Sequence, residues 1–296
     1  MLDITLGLSG RYKLERITPK GDVELAADWF DNLITNQGLD MYSGDITNFD
    51  QLARYCFVGT DSTPPNALDT DLLGFVAQED GGLVIVQSYS LSPRYYSAVF
   101  TYTFDVGAVV GNISELGVGD EYFGTRKVFS RALIKDGVGS PTTISVAADE
   151  ALRVTYEIRF NLPTSDFLFT VDGYDFVVKL ANANTAGAVI GNDWSNAVFR
   201  YPRTYPGAVG ATIDGIPAGN PIDIGTSLDT YVLGSYTRTG KLVATVDQAN
   251  FSILAFSWGL GVCTWQCSVS PAVVKDNTKQ LELGVQLTWA REGELP

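Results

Sequence analysis

Five close pairs of carboxylates are the residues whose types and spacing could do chemistry: Asp69/Asp71, Glu79/Asp80, Asp120/Glu121, Asp149/Glu150 and Asp172/Asp175. Two carboxyls at a fixed separation, one with a raised pKa, hydrolyse glycosides. Acids that are neighbours in turns more often cap or end strands in water. Nothing in the spacing matches one acid with another across the chain, so no catalytic residue is assigned. The chain has no histidine. That removes the commonest general base and the commonest transition-metal ligand. Serine triads, His-bound zinc and H-E-x-x-H hydrolysis go with it in their usual forms. Oxygen ligands fall in loops at Asp45–Asp50 and Asp61–Asp71, but without the D-x-D-x-D-G spacing of a calcium loop. Gly117-Val118-Gly119 and Gly259-Leu260-Gly261 lack the third glycine and the helix of a dinucleotide fingerprint, and read as turns or bulges. No cofactor and no metal is expected.

The three cysteines are Cys56, Cys263 and Cys267. On one strand, Cys263 and Cys267 would lie roughly 13 Å apart, too far for a bridge. An odd count without C-x-x-C reads as buried thiols in a reducing cytoplasm. Recognition is the other chemistry in view. Trp194, Arg200, Tyr201, Arg203 and Tyr205 combine aromatic faces with arginines, the types that dominate binding hot spots. They lie in 192–226 among Pro202, Pro206, Pro217 and Pro221. Three readings stand: contact with a receptor or glycan, contact between subunits, and plain packing.

Strands must position these residues. The 296-residue chain is 45% apolar and only 18% charged, with 14 Tyr, 15 Phe and 30 Gly, a composition that favours strands and turns. Tyr96, Ala98, Phe100, Tyr102 and Phe104 keep strict period two. Leu152, Val154, Tyr156, Ile158 and Phe160 do the same, as do Leu281, Leu283, Val285, Leu287 and Trp289. A hairpin is expected over 11–30 around Pro19-Lys20-Gly21-Asp22. Trp29 to Asp40 then forms a joint, with Thr35 or Asn36 capping a short helix and Gly38 allowing close packing. About nine or ten strands fill 11–162 at the spacing of a sandwich or barrel. Asp172-Gly173 predicts a hairpin between 167–171 and 175–180. Further strands are expected at 231–236, 241–246, 251–258, 264–269 and 281–289. The segment 192–226 reads as an inserted loop region.

Several segments carry a resemblance. Trp29-Phe30-Asp31-Asn32-Leu33-Ile34-Thr35-Asn36-Gln37-Gly38-Leu39 resembles a W-F-x-N-L-I-T-N-x-G-L signature of tailed-bacteriophage virion proteins, a family of tail, tail-fibre and minor structural proteins. Phe57 to Pro65 is similar to its V-G-T-G-S-T-x-P loop, and Ile113 to Gly119 to its I-S-E-I-G strand. Phe129-Ser130-Arg131-Ala132-Leu133-Ile134 resembles its L-F-S-R-A-L-I strand. Pro271 to Lys275 and Leu281 to Arg291 resemble its closing strand. The likeness covers most of 10–165 and about the last 25 residues, and leaves out 180–250.

The expected fold is all-β, an antiparallel β-sandwich of jelly-roll or Ig-like type with an N-terminal β-hairpin arm and a short helix. Residues 1–42 would be arm and joint, 43–165 the sandwich, 166–270 a second β region holding the 192–226 loop, and 271–296 a closing strand returning to the sandwich. The resemblance implies a non-enzymatic virion component, foremost a tail or baseplate appendage such as a fibre or fibre-attachment protein. It would be homo-oligomeric, be assembled in the host cytoplasm, and contact other tail, baseplate or neck proteins and a host surface glycan or protein. Tyr12, Leu14, Trp29, Phe30, Leu33 and Ile34 are the candidate docking residues toward the virion. A capsid decoration protein or head fibre, and a glycan depolymerase, are the alternatives. A net charge of −14 argues against direct nucleic-acid binding. Met1 to Gly10 lacks the basic region of a signal peptide, and no apolar run approaches the roughly 20 residues of a membrane span.

Overall fold

Period-two alternation decides which faces are buried. In the computed structural model, which describes residues 1–43, 49–81, 86–91, 94–122, 124–181, 200–211, 215–260 and 263–294, the chain is all-β with one short α-helix. Strand β1 (Leu2–Ile17) places Leu2, Ile4, Leu6, Leu8, Tyr12 and Leu14 in the core, each at most 1% exposed. A turn at Thr18–Asp22 returns the chain as β2 (Val23–Asp31), the expected hairpin. After Asn32 come β3 (Leu33–Ile34) and helix α1 (Asn36–Ser43). The Gly38 N–H donates to Thr35 Oγ1 at 2.8 Å, so Thr35 caps the helix.

The chain continues through β4 (Tyr55–Gly59), β5 (Phe75–Asp80), β6 (Val86–Leu91), β7 (Arg94–Phe104), β8 (Gly111–Ile113), β9 (Glu115–Tyr122), β10 (Thr125–Leu133), β11 (Ile144–Val146) and β12 (Ala151–Asn161). Then follow β13 (Phe167–Val171), β14 (Tyr174–Ala181), β15 (Arg200–Tyr205), β16 (Ile222–Asp223), β17 (Gly225–Leu228), β18 (Thr237–Ala244), β19 (Ser252–Leu260), β20 (Cys263–Val274) and β21 (Leu281–Arg291).

The largest sheet runs β17-β18-β21-β1-β12-β7-β6, with β2 beside the second half of β1. Another runs β13-β14-β20-β19-β15-β16, a third β3-β10-β9-β4-β5, and β8 pairs with β11. Tyr102, Tyr156 and Trp289 from the first sheet share one core with Trp258 and Trp265 from the second. Each large apolar side chain removed from water contributes on the order of 1.5–3 kcal/mol. Gly38 lets α1 close onto β10, because a Cβ there would stand 2.1 Å from the Phe129 carbonyl oxygen.

Three expectations need correction. The N-terminal segment is not an arm: β1 lies between β12 on one side and β21 and β2 on the other, because Leu2, Ile4, Leu6 and Leu8 extend the alternation to the chain start. The segment 192–226 is not all loop, since β15 pairs with both β19 and β16. Residues 231–236 turn instead of pairing. Gly234 and Tyr236 have positive φ, and the strand begins at Thr237. Of the two readings of Gly117-Val118-Gly119, turn or bulge, the structure shows the bulge: both glycines stand inside β9, opposite a register shift in β10.

Candidate functional site

Four of the segments that carry the resemblance, 29–39, 57–65, 113–119 and 129–134, meet around one buried arginine. Arg131 of β10 is 0% exposed. Its Nε donates to Glu115 Oε2 at 2.8 Å, and its Nη2 lies 2.7 Å from the same oxygen. Nη1 reaches Asp69 Oδ2 at 2.8 Å, and Nη2 also donates to the Thr63 carbonyl at 3.0 Å. Glu115, likewise 0% exposed, accepts the Gly74 N–H at 2.6 Å. Burial opposes the Arg131 charge, but the hydrogen bonds to Asp69 and Glu115 outweigh it and hold its pKa above the ordinary value. The Thr63 hydroxyl and amide, with Arg131 behind them, hold the Asp61 carboxyl below the ordinary range. The loop 60–74 is thereby tied to β9 and β10. Arg126 fastens its far end through a bidentate pair to Asp71, at 2.7 and 2.6 Å, and lies 3.9 Å over the Phe75 ring.

The joint locks onto the same strand. Leu33 and Ile34 pair with Arg131 and Ser130, and Thr35 Oγ1 donates to the Val128 carbonyl at 2.6 Å. From β21, Arg291 donates to the Ile34 carbonyl and to Asn36 Oδ1. Clefts open on both sides of Asp31-Asn32-Leu33. One, about 340 Å³, is lined by Ser9, Arg11, Arg159 and Arg291. The other, about 300 Å³, is walled by Pro64, Pro65, Leu133 and Pro141. Beside the first, Arg11 and Arg159 both donate to Glu157 Oε2. Arg11 stacks 4.4 Å over Trp29, and Arg159 4.8 Å over Tyr95. Burial would raise the Glu157 carboxyl, but the bonds from Arg159 and Arg11 bring it below the ordinary range. These charges fix one another in place. Their arrangement suits holding a surface and recognising polar groups.

Several of the carboxylates from the sequence hold structural contacts. Asp69 and Asp71 serve two different arginines. Glu150 accepts the Ala147 N–H at 2.9 Å, closing a turn, and Asp175 accepts from Thr170 Oγ1 at 2.7 Å. Burial, with Asp105 and Asp80 nearby, pushes the Glu79 carboxyl up. Asp45 to Asn48 lie outside the described residues. Among the described residues, no group of three or more Cys, Asp or Glu is gathered so as to hold a metal, and no helix is long and apolar enough to cross a membrane. The three cysteines are free and buried, and burial pushes Cys263 and Cys267 up to about 12.

The candidate docking residues divide by burial. Tyr12, Leu14, Phe30 and Ile34 are core residues, at most 6% exposed, and so cannot form a docking surface. Tyr12 shares a 2.8 Å hydrogen bond with Ser130 Oγ and packs against Tyr156. Trp29 and Leu33 are half-buried. In the second candidate group, Trp194 lies outside the described residues, and Arg200 is placed only as the first residue of β15. Tyr205 is buried and hydrogen-bonded to Ser257 Oγ at 3.2 Å, which makes it packing. Tyr201 is 71% exposed at a positive φ, within the register shift between Arg200 and Arg203. Such bulges re-aim side chains. Arg203 pairs with Asp223 at 2.8 Å on the surface.

Sequence reasoning missed Glu115, Arg131 and Glu157. A charge inside an apolar strand run, as in Phe129-Ser130-Arg131-Ala132, was the available signal for a buried ion pair. Comparison of the chain with protein-family models, with curated proteins and with solved structures finds no match in any of the three.

Proposed function

We propose that this chain is a non-enzymatic structural component of a tailed-phage virion, a tail or baseplate appendage present in several copies and involved in host attachment. One observation carries the reading. Four of the segments that resemble that family, 29–39, 57–65, 113–119 and 129–134, come together at Arg131, where their polar groups are spent on joining β3, β9, β10 and the 60–74 loop. Such a network supports a protein whose work is to hold a surface in a fixed shape. The eight- and six-stranded sheets, which share one core, are read as the two layers of a sandwich. On this reading the chain is assembled in the host cytoplasm, contacts neighbouring tail, baseplate or neck proteins, and offers Tyr201 and Arg203 to a sister subunit or a host glycan or protein.

Cryo-electron microscopy of the particle, with this chain traced in density, tests the proposal. Density at the tail or baseplate is the expected outcome. Density on the capsid lattice would replace the appendage with a decoration protein or head fibre. Absence from purified particles, with release of sugar from host polysaccharide by the isolated chain, would overturn the structural role.

A further inference from the structure

Natural sheets guard their edges against pairing with other chains, through shortness, charge, proline or bulges. Most edges here carry such protection. β3 and β16 are two residues long, and β17 four. β5 ends in Glu79-Asp80. β2 holds Glu24, Asp28 and Asp31 and pairs with β1 through a register shift. β6 lacks a charge, proline or bulge, but three of its six residues, Gln87, Ser88 and Ser90, are polar. β13 has none of these devices: Phe167-Leu168-Phe169-Thr170-Val171 contains no charge, proline or bulge.

Among the described residues, no strand pairs with the outer edge of β13. Asp172 and Gly173 have φ of 51° and 80°, as a two-residue type I′ hairpin requires. That turn closes Val171 onto Tyr174. Alternation along an antiparallel pair then aims the N–H and C=O groups of Leu168 and Thr170 away from β14. Phe167, Phe169 and Val171 pack against the core, and the Phe167 ring lies 6.2 Å from Trp265. The Leu168 side chain is 79% exposed.

We infer that β13 is a docking edge for an extended segment of a partner protein, about five apolar or β-branched residues bracketed by Lys or Arg. Charge selects this occupant over a second copy. Asp166 and Asp172 bracket β13. Two copies paired antiparallel about Phe169 would set Asp166 against Asp172 twice, and like charges directly opposed destabilise a strand pair. The chain's net charge of −14 adds to that repulsion. Basic brackets would instead meet both carboxylates.

The test uses the full chain and two synthetic peptides, Val-Thr-Val-Thr-Val bracketed by Lys at both ends or by Glu at both ends, with amide hydrogen exchange as readout. The Lys-bracketed peptide slows exchange at Leu168 and Thr170 by about tenfold or more at saturation, and the Glu-bracketed peptide does not. In the Asp166→Asn/Asp172→Asn variant, which keeps a residue that tolerates positive φ at the turn, the two peptides protect equally. No protection by either peptide overturns the inference, as does equal protection by both on the unsubstituted chain. Protection that rises with protein concentration alone would assign the edge to a second copy and overturn it too.

Discussion

Arg131→Met removes a buried cation and leaves its carboxylates behind. Glu115 has no exposed surface, so its charge would be left with two loop amides, those of Leu73 and Gly74, and no counter-ion. Breaking one side of a buried ion pair costs about 3–5 kcal/mol. Two features place this case near the lower end. Glu115 keeps the Gly74 N–H at 2.6 Å, and Asp69, with its side chain 13% exposed, gains some hydration. The expected loss is therefore about 3 kcal/mol, or about 6 °C in melting temperature for a chain of this size. Glu115→Gln in the same background removes the stranded charge and keeps an oxygen for Gly74, so the double variant recovers about 1 kcal/mol or more. Urea unfolding of the four proteins measures the cycle. Limited proteolysis reads the 60–74 loop separately, and cleavage there should rise in Arg131→Met before global unfolding. An Arg131→Met protein within about 0.5 kcal/mol of wild type, with an unchanged loop, would refute the argument that this arginine ties the segments together.

Gly38→Ala sets a Cβ 2.1 Å from the Phe129 carbonyl oxygen, forcing α1 off β10. It should cost about 1–3 kcal/mol or more by thermal denaturation. Glu157 has a depressed pKa in the folded chain, so its contribution to stability is present above the unfolded value of about 4.3 and fades as pH falls through the lower folded value. Melting curves of wild type and Glu157→Gln should differ at pH 7 and converge toward pH 2–3, and a constant gap would sink that account. The buried thiols, with Cys263 and Cys267 raised to about 12, should resist a thiol reagent at pH 8 in the native chain, and all three cysteines should react in denaturant.

Much of the fold was legible because period two is a local signal. The alternations in β7, β12 and β21 name the inward residues directly, and Asp172-Gly173 names its hairpin. Thr35 and Gly38 were legible as cap and contact because both roles depend on one residue type. The same periodicity ran through Leu2, Ile4, Leu6 and Leu8, yet which strands flank β1 depends on β21, more than 270 residues away. The site was less legible. Arg131 and Glu115 look like interruptions of apolar strands, and their joint meaning appears only when β9 pairs with β10 and brings Asp69 over them. Tyr205 and Tyr201 are equivalent by type, and only the register shift in β15 sends one inward and the other out.

The buried charges also bear on which pairing the chain accepts. Side chains alternate faces along a strand, so slipping β10 by one residue against β9 would turn Arg131 away from Glu115. Glu115 would then be buried without its partner, a large penalty that an all-apolar strand would not impose. The joint adds a second tie, because Leu33 and Ile34 pair with β10 while Arg291 of β21 donates to the Ile34 carbonyl. β21 in turn is fixed by its parallel pairing with β1. The polar network is complete only when the first strand, the joint and the last strand have all arrived. Such non-local closure is entropically late in folding, and it makes the Arg131 centre a check on register as well as a tie between segments.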